Sequence, residues 1–303
     1  MSTNVRPRRS VLYMPGANTR ALEKARTIAA DLPPAIRFGT SSWSFPGWKG
    51  IVYSGTVTPT MLSREGLRQY ARHPLLRTVG IDRSYYAPVP IEDLRRYAEQ
   101  LPPGFLACAK APASVTSTTV GPPGSDAPNP DFMSVPRLIE EQLLPFNVAF
   151  HDHTGPFILE FPTFGRYSPM QPAEFLERLD RFLEALPRDF HYAVELRDQR
   201  LLTREYRDIL VRHGIGHTYN YWSAMPTLLN QARVVAPGDV PFVIVRLLLR
   251  PGTWYEDQRE RFRPFDRLAA PDESMRSEVV DLADRALTSG RKVWVLVNNK
   301  AEG

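Results

Sequence analysis

The chain has 303 residues, of which 43% are hydrophobic and 23% are charged, and its formal net charge is +5. This balance is typical of a globular protein and excludes a disordered one, and no apolar run approaches the roughly 18–20 residues that a membrane-spanning helix needs. The single cysteine, Cys108, excludes an internal disulfide and a thiolate metal cluster, so we expect a reducing, cytoplasmic location.

From residue 36 onward, short runs rich in β-branched and aromatic residues alternate with amphipathic segments. Strands are predicted over residues 36–41, 76–82, 105–110, 157–161, 191–196, 217–221, 242–248 and 292–297. Helices are predicted over residues 60–73, 90–101, 135–150, 172–186, 203–213, 225–235 and 274–287. Alternation of this kind predicts the α/β class with a parallel sheet. Eight such units favour a closed (β/α)8 TIM-type barrel over an open sheet.

Three segments fall outside the regular alternation. The pattern predicts no helix after the eighth strand, and we expect an amphipathic helix over residues 18–30 to take that place. Residues 114–130 are rich in proline, glycine and serine, and residues 249–273 are charged and aromatic. Loops of such length in a compact domain are usually functional or disordered. We expect the second loop to lie over the active face as a lid.

Polar residues stand where the apolar runs of the strands stop, and in these barrels the chemistry lies at the carboxyl ends of the strands. Four charged residues even lie inside the apolar runs, namely Lys110, Glu160, Glu195 and Arg246. A buried charge is costly unless it is paired. Two interpretations follow: a ligand site, which we favour, or a salt-bridged layer that closes the barrel.

The candidate catalytic residues are Lys110, Glu160 and Glu195. The two carboxylates suit a general acid and base, and a desolvated Lys110 suits an electrophile or Schiff-base amine. Arginines clamp phosphates and carboxylates, and aromatic rings stack on bases or sugars. The predicted ligand-binding residues are therefore Trp43, Trp48, Asp82, Arg83, Tyr86, Arg197, Asn220, Arg246, Asn298 and Asn299.

No metal site is predicted. His151 and His153 have the His-x-His spacing of a ligand pair, but they precede the fourth strand and so belong at the opposite face. The strand ends hold carboxylates and no histidine, which argues against a histidine-rich metal centre. A carboxylate-bound Mg²⁺ stays open, and the sequence requires no cofactor.

Several segments resemble the YecE-like family, a group named only as a domain of unknown function. The segment Gly39-Thr-Ser-Ser-Trp-Ser-Phe-Pro-Gly-Trp-Lys-Gly resembles the opening motif of that family, and Val79-Gly-Ile-Asp-Arg-Ser-Tyr-Tyr resembles its second-strand segment. Lys110, Arg246 and the Asn298-Asn299 pair fall at matching strand ends. The resemblance implies a TIM-type barrel and no particular reaction. Gly80 departs from the family, in which many members have Glu, and Glu160 stands where many have Gln.

The first thirty residues differ from this pattern. The segment beginning Arg9-Ser-Val-Leu-Tyr-Met-Pro-Gly resembles the opening of citrate-lyase-β-type and HpcH/HpaI aldolases, but the acidic metal-binding strands of those enzymes do not follow. We therefore expect residues 1–34 to be an extension of lyase-like origin joined to a YecE-like barrel over residues 35–303. The whole is then a chimera, with an unfolded extension as the alternative.

We expect the barrel to bind or process a small phosphorylated or carboxylated ligand at the strand ends. The alternatives are a nucleic-acid-binding or endonuclease-like barrel, for which the basic charge is a weak argument, and a folded scaffold without activity. A small anionic ligand is preferred to nucleic acid, no membrane partner is expected, and the sequence gives no oligomeric state.

Overall fold

The computed structural model describes residues 19–55, 57–121, 127–164, 170–263 and 265–302. Eight strands in it form one closed parallel barrel in chain order. They are β1 (Ile36–Thr40), β2 (Thr78–Ile81), β3 (Ala107–Lys110), β4 (Thr154–Phe161), β5 (Tyr192–Leu196), β6 (Gly216–Tyr221), β7 (Phe242–Leu247) and β8 (Lys292–Val297). The barrel closes between β1 and β8, which pair from Ile36↔Val293 to Thr40↔Val297. The predicted (β/α)8 fold is therefore confirmed.

Helices cover the outside of the barrel. They are α1 (Thr19–Asp31), α2 (Pro59–Ala71), α3 (Ile91–Ala98), α4 (Ala113–Thr116), α5 (Val135–Leu138), α6 (Leu144–Ala149), α7 (Pro172–Glu184), α8 (Arg204–His213), α9 (Leu228–Ala232), α10 (Tyr255–Phe262) and α11 (Glu273–Thr288). Helix α7 shows why they form. Its Phe175, Leu179 and Phe182 recur at helical spacing and are all buried against the strands.

Two segments differ from the sequence prediction. The helix predicted over residues 135–150 is interrupted by a π-helical turn over Ile139–Leu143, which separates α5 from α6. The second predicted loop, residues 249–273, contains helix α10. Shortly after this helix, Phe265 has a backbone φ of 63°, and its ring packs edge-on against that of Phe45. A positive φ is uncommon for a non-glycine residue.

Helix α1 packs beside the entry to β2, where Ala25 and Ala29 contact Leu75 and the Ala29 carbonyl accepts a hydrogen bond from Arg77. No helix follows β8 as far as residue 302. The outer faces of β1 and β8 border a narrow cleft of about 80 Å³ whose lining includes Phe38 and Val297 but none of the described side chains of α1. The sequence segment that suggested a lyase-like origin spans residues 9–24. Its residues 9–18 lie outside the described residues, and the rest belong to α1.

The interior of the barrel is a separate apolar layer made of Cys108, Ile158, Ala193, Phe242, Ile244, Trp294 and Leu296. Side chains alternate along a strand, so the intervening residues, such as Leu159 and Val245, face the helices instead. Over the described ranges, no helix is long and apolar enough to cross a membrane.

Candidate functional site

The charged residues of the strands lie directly above the interior layer. Lys110, Glu160, Glu195 and Arg246 each stand two residues after a member of that layer, on β3, β4, β5 and β7. The alternation of a strand therefore points all four side chains into the barrel. Asp82 and Arg197, which immediately follow β2 and the Leu196 end of β5, join them. We call these six residues the strand-end network.

Arg246 is the centre of the strand-end network and is only 1% exposed. Its Nη1 lies 2.8 Å from Glu195 Oε2 and 3.2 Å from Glu160 Oε2, and its Nη2 lies 2.7 Å from Asp82 Oδ2. Burial would lower the pKa of this guanidinium, but the three carboxylates raise the pKa above its ordinary value. One arginine thus connects the ends of four strands.

Glu160 shares a single oxygen among three cations. Its Oε2 lies 2.9 Å from Lys110 Nζ and 2.7 Å from Arg197 Nη2, besides the contact with Arg246. Burial would raise the pKa of Glu160, but the three cations outweigh burial and hold the pKa well below its ordinary value. The carboxylate therefore stays ionised at neutral pH, which disfavours the predicted role of general acid for Glu160.

Aromatic rings cover the two outer cations. Lys110 Nζ lies 3.8 Å from the centre of the Tyr85 ring, and the Arg197 guanidinium lies 4.2 Å from that of Trp222. Burial, and next the charge of Glu160, raise the pKa of Tyr85 to about 12, so the ring stays neutral. Such cation–π contacts contribute about 0.5–2 kcal/mol depending on desolvation.

Several buried polar atoms at the ends of five strands have no hydrogen-bond partner within the described part of the chain. They include Ser41 Oγ, Asp82 Oδ1, Arg197 Nε, Asn220 Oδ1 and Arg246 Nε. Native proteins rarely leave buried polar atoms unpaired, and water or a ligand usually satisfies them. Both donors and acceptors are available here.

Two residues that the sequence analysis did not identify fix the position of Lys110. Its carbonyl oxygen accepts hydrogen bonds from Gln142 Nε2 at 2.7 Å and from Ser84 Oγ at 2.6 Å. Gln142 belongs to the π-helical turn, and turns of this type occur frequently at functional sites. No pattern in the sequence announces a π-helical turn, so only the structure reveals this contact.

The comparison with known families agrees with this barrel. The family described as "Protein of unknown function DUF72" matches residues 37–303. The chain belongs to the DUF72 family. The YecE-like resemblance found from residue 36 onward is consistent with this assignment, and the chimeric origin of the preceding residues stays a prediction.

Solved DUF72 structures share the fold of this chain. A DUF72 family protein from Thermotoga maritima is 20% identical, with a TM-score of 0.58 over 88% of this chain and 94% of that one. Another from Enterococcus faecalis is 19% identical, with a TM-score of 0.58 over 88% and 90% of the two chains. No curated protein matches this chain significantly. At such identities the likeness shows the fold alone.

Part of the predicted ligand-binding set of this DUF72 protein lies away from the strand-end network. Trp43 is 4% exposed and packs edge-on against Tyr97, with its Nε1 donating to the Leu62 carbonyl. Arg83 bonds outward to Asp93 at 3.0 Å and to the Tyr97 hydroxyl at 2.7 Å. Both side chains thus join the barrel to helices α2 and α3.

The remaining predicted residues lie outside the strand-end network, around the rim formed by the carboxyl ends of the strands and the segments that follow them. Tyr86 is 81% exposed, next to Tyr85. Trp48, Asn298 and Asn299 line the cleft beside β1 and β8, outside the barrel wall. Asn298 Oδ1 also accepts a hydrogen bond from Lys300, whose ammonium lies 4.8 Å from the Tyr255 ring of α10. Tyr255 and Lys300 are rim residues that the sequence analysis did not single out.

Gly80 lies where β2 passes very close to the chain that follows β1. A Cβ atom at Gly80 would lie 2.8 Å from the Ser41 carbonyl oxygen, a distance that real Cβ atoms essentially never show. A side chain is therefore incompatible with the close approach of β1 and β2. The acid at the end of β2 is Asp82, two residues later, which bonds to Arg246.

The carboxylates of the strand-end network are all bonded to cations. Throughout the described ranges, no group of three or more His, Cys, Asp or Glu side chains is arranged to hold a metal ion. His151 and His153 lie just before β4, as predicted, and diverge. His151 faces the exposed Asp152, whereas His153 Nδ1 contacts the Phe105 carbonyl at 2.9 Å.

Proposed function

We propose that this protein binds a small phosphorylated or carboxylated ligand at the carboxyl ends of its strands, against Lys110 and Arg197. The observation that carries the proposal is the number of donors these two cations leave unused. A guanidinium has five N–H donors and an ammonium has three. Arg197 uses only Nη2, on Glu160 and Glu195, and Lys110 makes one ion pair. Oxyanions are the ligands that such donors bind most strongly.

The charges of the network explain why an anion is favoured over a cation. Three carboxylates face three cations, so the network is already neutral and every carboxylate is bonded. Each carboxylate thus already has a cation beside it, although Asp82 Oδ1 lacks a hydrogen-bond partner in the described structure, whereas Arg197 and Arg246 both keep N–H donors without acceptors. The Arg197 Nε, buried and without an acceptor in the described structure, is the clearest case.

The acceptors nearby favour a ligand that also carries hydroxyl groups. Ser41 Oγ, Asp82 Oδ1 and Asn220 Oδ1 are buried without partners in the part of the chain that the structure describes. A hydroxyl group of the ligand would donate to such oxygens, and the Trp222 and Tyr85 rings supply flat apolar surface beside it. Hydroxy acids and sugar phosphates combine all three features.

The geometry supports binding more than a defined reaction. Lys110 Nζ is engaged in an ion pair with Glu160 at 2.9 Å, which disfavours a role as Schiff-base nucleophile. Glu160 is held ionised by three cations. The catalytic roles predicted for Lys110, Glu160 and Glu195 therefore stay predictions.

The test is a thermal-shift screen against inorganic phosphate, citrate, malate and ribose 5-phosphate at constant ionic strength. At about 100 times its Kd a ligand adds about 2.7 kcal/mol of stability, which is roughly a 5 °C rise in Tm. We expect the rise in wild type and in Arg200→Gln, and its loss in Arg197→Gln. Arg200 is a matched control because it lies three residues away, 59% exposed, and bonds only to Asp198.

Two results would overturn the proposal: no stabilisation by any anion, or an equal rise in Arg197→Gln. Should Arg197→Gln fail to fold, Trp222→Leu replaces it, because this change removes the ring beneath the guanidinium and leaves the ion pairs in place. Its expected effect is a smaller but measurable loss of the rise.

A further inference from the structure

A second charged surface lies outside the barrel, in a cleft between α1, α2 and α3. The cleft has a volume of about 830 Å³. Four arginines line it, Arg64, Arg68, Arg72 and Arg96, against the two acids Glu65 and Glu99. His73 adds no charge near neutral pH, because burial lowers its pKa to about 4. The cleft therefore carries a formal excess of two positive charges.

Three of these arginines form a row along α2. Arg64 and Arg68 lie on successive turns, and Arg72 follows at the C-terminal cap of the helix. Four residues of α-helix rise about 6 Å, so the row presents one guanidinium per turn. All three are exposed, and the described structure gives their side chains neither an ion pair nor a hydrogen bond. We call them the arginine row.

Several other surface arginines of the chain are paired. Arg178 bonds Glu174 at 2.7 Å, Arg181 bonds Glu177 at 3.2 Å, and Arg212 bonds Asp180 at 2.7 Å. Like charges spaced four residues apart destabilise a helix by a few tenths of a kcal/mol per pair. The unpaired row thus weakens α2 slightly, unless an anionic partner uses it.

Hydrogen bonds from Gln100 fix the spacing of the helices on either side of the cleft. Gln100 is buried, and its Nε2 donates to the Arg64 carbonyl and to the Arg96 carbonyl, each at 2.8 Å. Its Oε1 accepts from the Arg68 backbone N–H at 3.3 Å. The spacing of α2 and α3, and with it the position of the row, is therefore fixed before any partner binds.

We propose that the arginine row binds the phosphodiester backbone of a single nucleic-acid strand, at a site independent of the strand-end network. Regularly spaced phosphates match a single row of guanidinium groups, which bind each phosphate by paired N–H donors. The concave cleft suits an extended chain, whereas a bilayer would need a flat or convex basic face with several apolar side chains. Among the described residues that line the cleft, Met61 is the only exposed large hydrophobic one.

The residues that line the cleft also predict whether binding depends on the base sequence of the nucleic acid. No Phe, Tyr or Trp side chain of the described residues lines this cleft, so bases find little stacking surface there. Phosphate contacts position a nucleic acid but carry no sequence information. Binding to the row is therefore expected to depend on salt and to be nearly independent of base sequence.

The experiment is fluorescence anisotropy of labelled 12-nucleotide strands, one of oligo-dT and one of mixed RNA sequence, titrated across a salt series. Two triple variants are compared with wild type. The first triple combines Arg64→Gln, Arg68→Gln and Arg72→Gln. The matched triple combines Arg178→Gln, Arg181→Gln and Arg212→Gln. The matched triple removes the same charge from α7 and α8, which follow β4 and β5 on another side of the barrel. Circular dichroism melts check that both triples fold.

We expect the first triple to weaken binding at least tenfold at low salt and to reduce the slope of log Kobs against log salt by about 2. The matched triple and Arg197→Gln should leave binding nearly unchanged. Absence of binding by wild type, equal weakening by the two triples, or row-dependent binding to phosphatidylserine vesicles without binding to either strand would each overturn the proposal.

Discussion

Replacing Arg246 by methionine is expected to be strongly destabilising. The side chain is 1% exposed and touches three carboxylates within 3.2 Å. Removing one partner of a buried ion pair costs about 3–5 kcal/mol, because it leaves an uncompensated buried charge. The loss of a partner is most costly at Glu195, because this carboxylate is fully buried and is then left with Arg197 as its remaining cation. A loss of about 4 kcal/mol is a large share of the 5–15 kcal/mol that typically stabilises a protein.

Urea denaturation measures this loss, with Arg212→Met as the control. Arg212 makes an ion pair of similar length, but it is 58% exposed, and exposed pairs are worth about 0–1 kcal/mol. Adding Glu195→Gln to Arg246→Met should recover stability, because the double variant no longer buries that unpaired charge. A loss below about 1 kcal/mol for Arg246→Met, or strict additivity in the double variant, would refute the reasoning.

The same network predicts a pH dependence. The pKa of Glu160 is lower in the folded protein than its ordinary value of 4.5. The stability that this shift contributes is present above about pH 4.5 and is lost as the pH falls toward the folded pKa. Arg246→Met removes one of the cations that lower the pKa, so wild type and variant should converge in stability as the pH falls below about 4.

Two further predictions concern positions outside the network. Burial lowers the pKa of His73 to about 4, so the unfolded chain binds the extra proton first and stability falls as the pH drops from about 6.5 toward 4. His73→Gln should therefore lose less stability than wild type between pH 7 and pH 5 in urea titrations. An equal loss in both proteins would show that protonation of His73 does not cause the fall in stability. Gly39→Ala would place a Cβ 1.9 Å from the Thr78 carbonyl oxygen, where β1 and β2 pair. We expect it to lose more than about 3 kcal/mol or to fail to fold, and a wild-type denaturation midpoint would show that the strands can separate there.

Much of the barrel is predictable because its strands are continuous apolar runs. The strand predicted over residues 292–297 coincides with β8, and the buried charges at Lys110, Glu160, Glu195 and Arg246 do meet at one end of the barrel. Charge inside an apolar run is a strong signal, because burial without a partner is too costly. The sequence leaves the partners themselves undetermined, since pairing depends on the order of strands around the barrel.

The sequence does not predict the direction in which a side chain points once the strand has ended. Within a strand the side chains alternate, but after it the chain turns in a way that the residue pattern does not determine. Trp43 follows β1 closely, but the chain turns there and the ring enters the helix layer against Tyr97. Arg83 likewise lies in the short turn after β2 and bonds to α3. The π-helical turn that carries Gln142 interrupts a segment whose apolar spacing predicts one continuous helix.

The strand-end network combines features of both interpretations drawn from the sequence. It is a salt-bridged layer, because three cations and three carboxylates pair inside the barrel. Its outer edge nevertheless holds N–H donors and oxygen acceptors without partners in the described structure. The layer would thus hold Lys110 and Arg197 rigidly in place for a ligand, which lowers the entropy lost on binding.

The most direct test is calorimetric titration of the anion that most raises the wild-type Tm into wild type, Arg197→Gln and Arg200→Gln. Hydrogen bonds to charged groups contribute about 1.5–3 kcal/mol, so we predict that Arg197→Gln weakens the Kd by about 10- to 100-fold while Arg200→Gln leaves it unchanged. Equal affinity for all three proteins would contradict a ligand site at the ends of the strands.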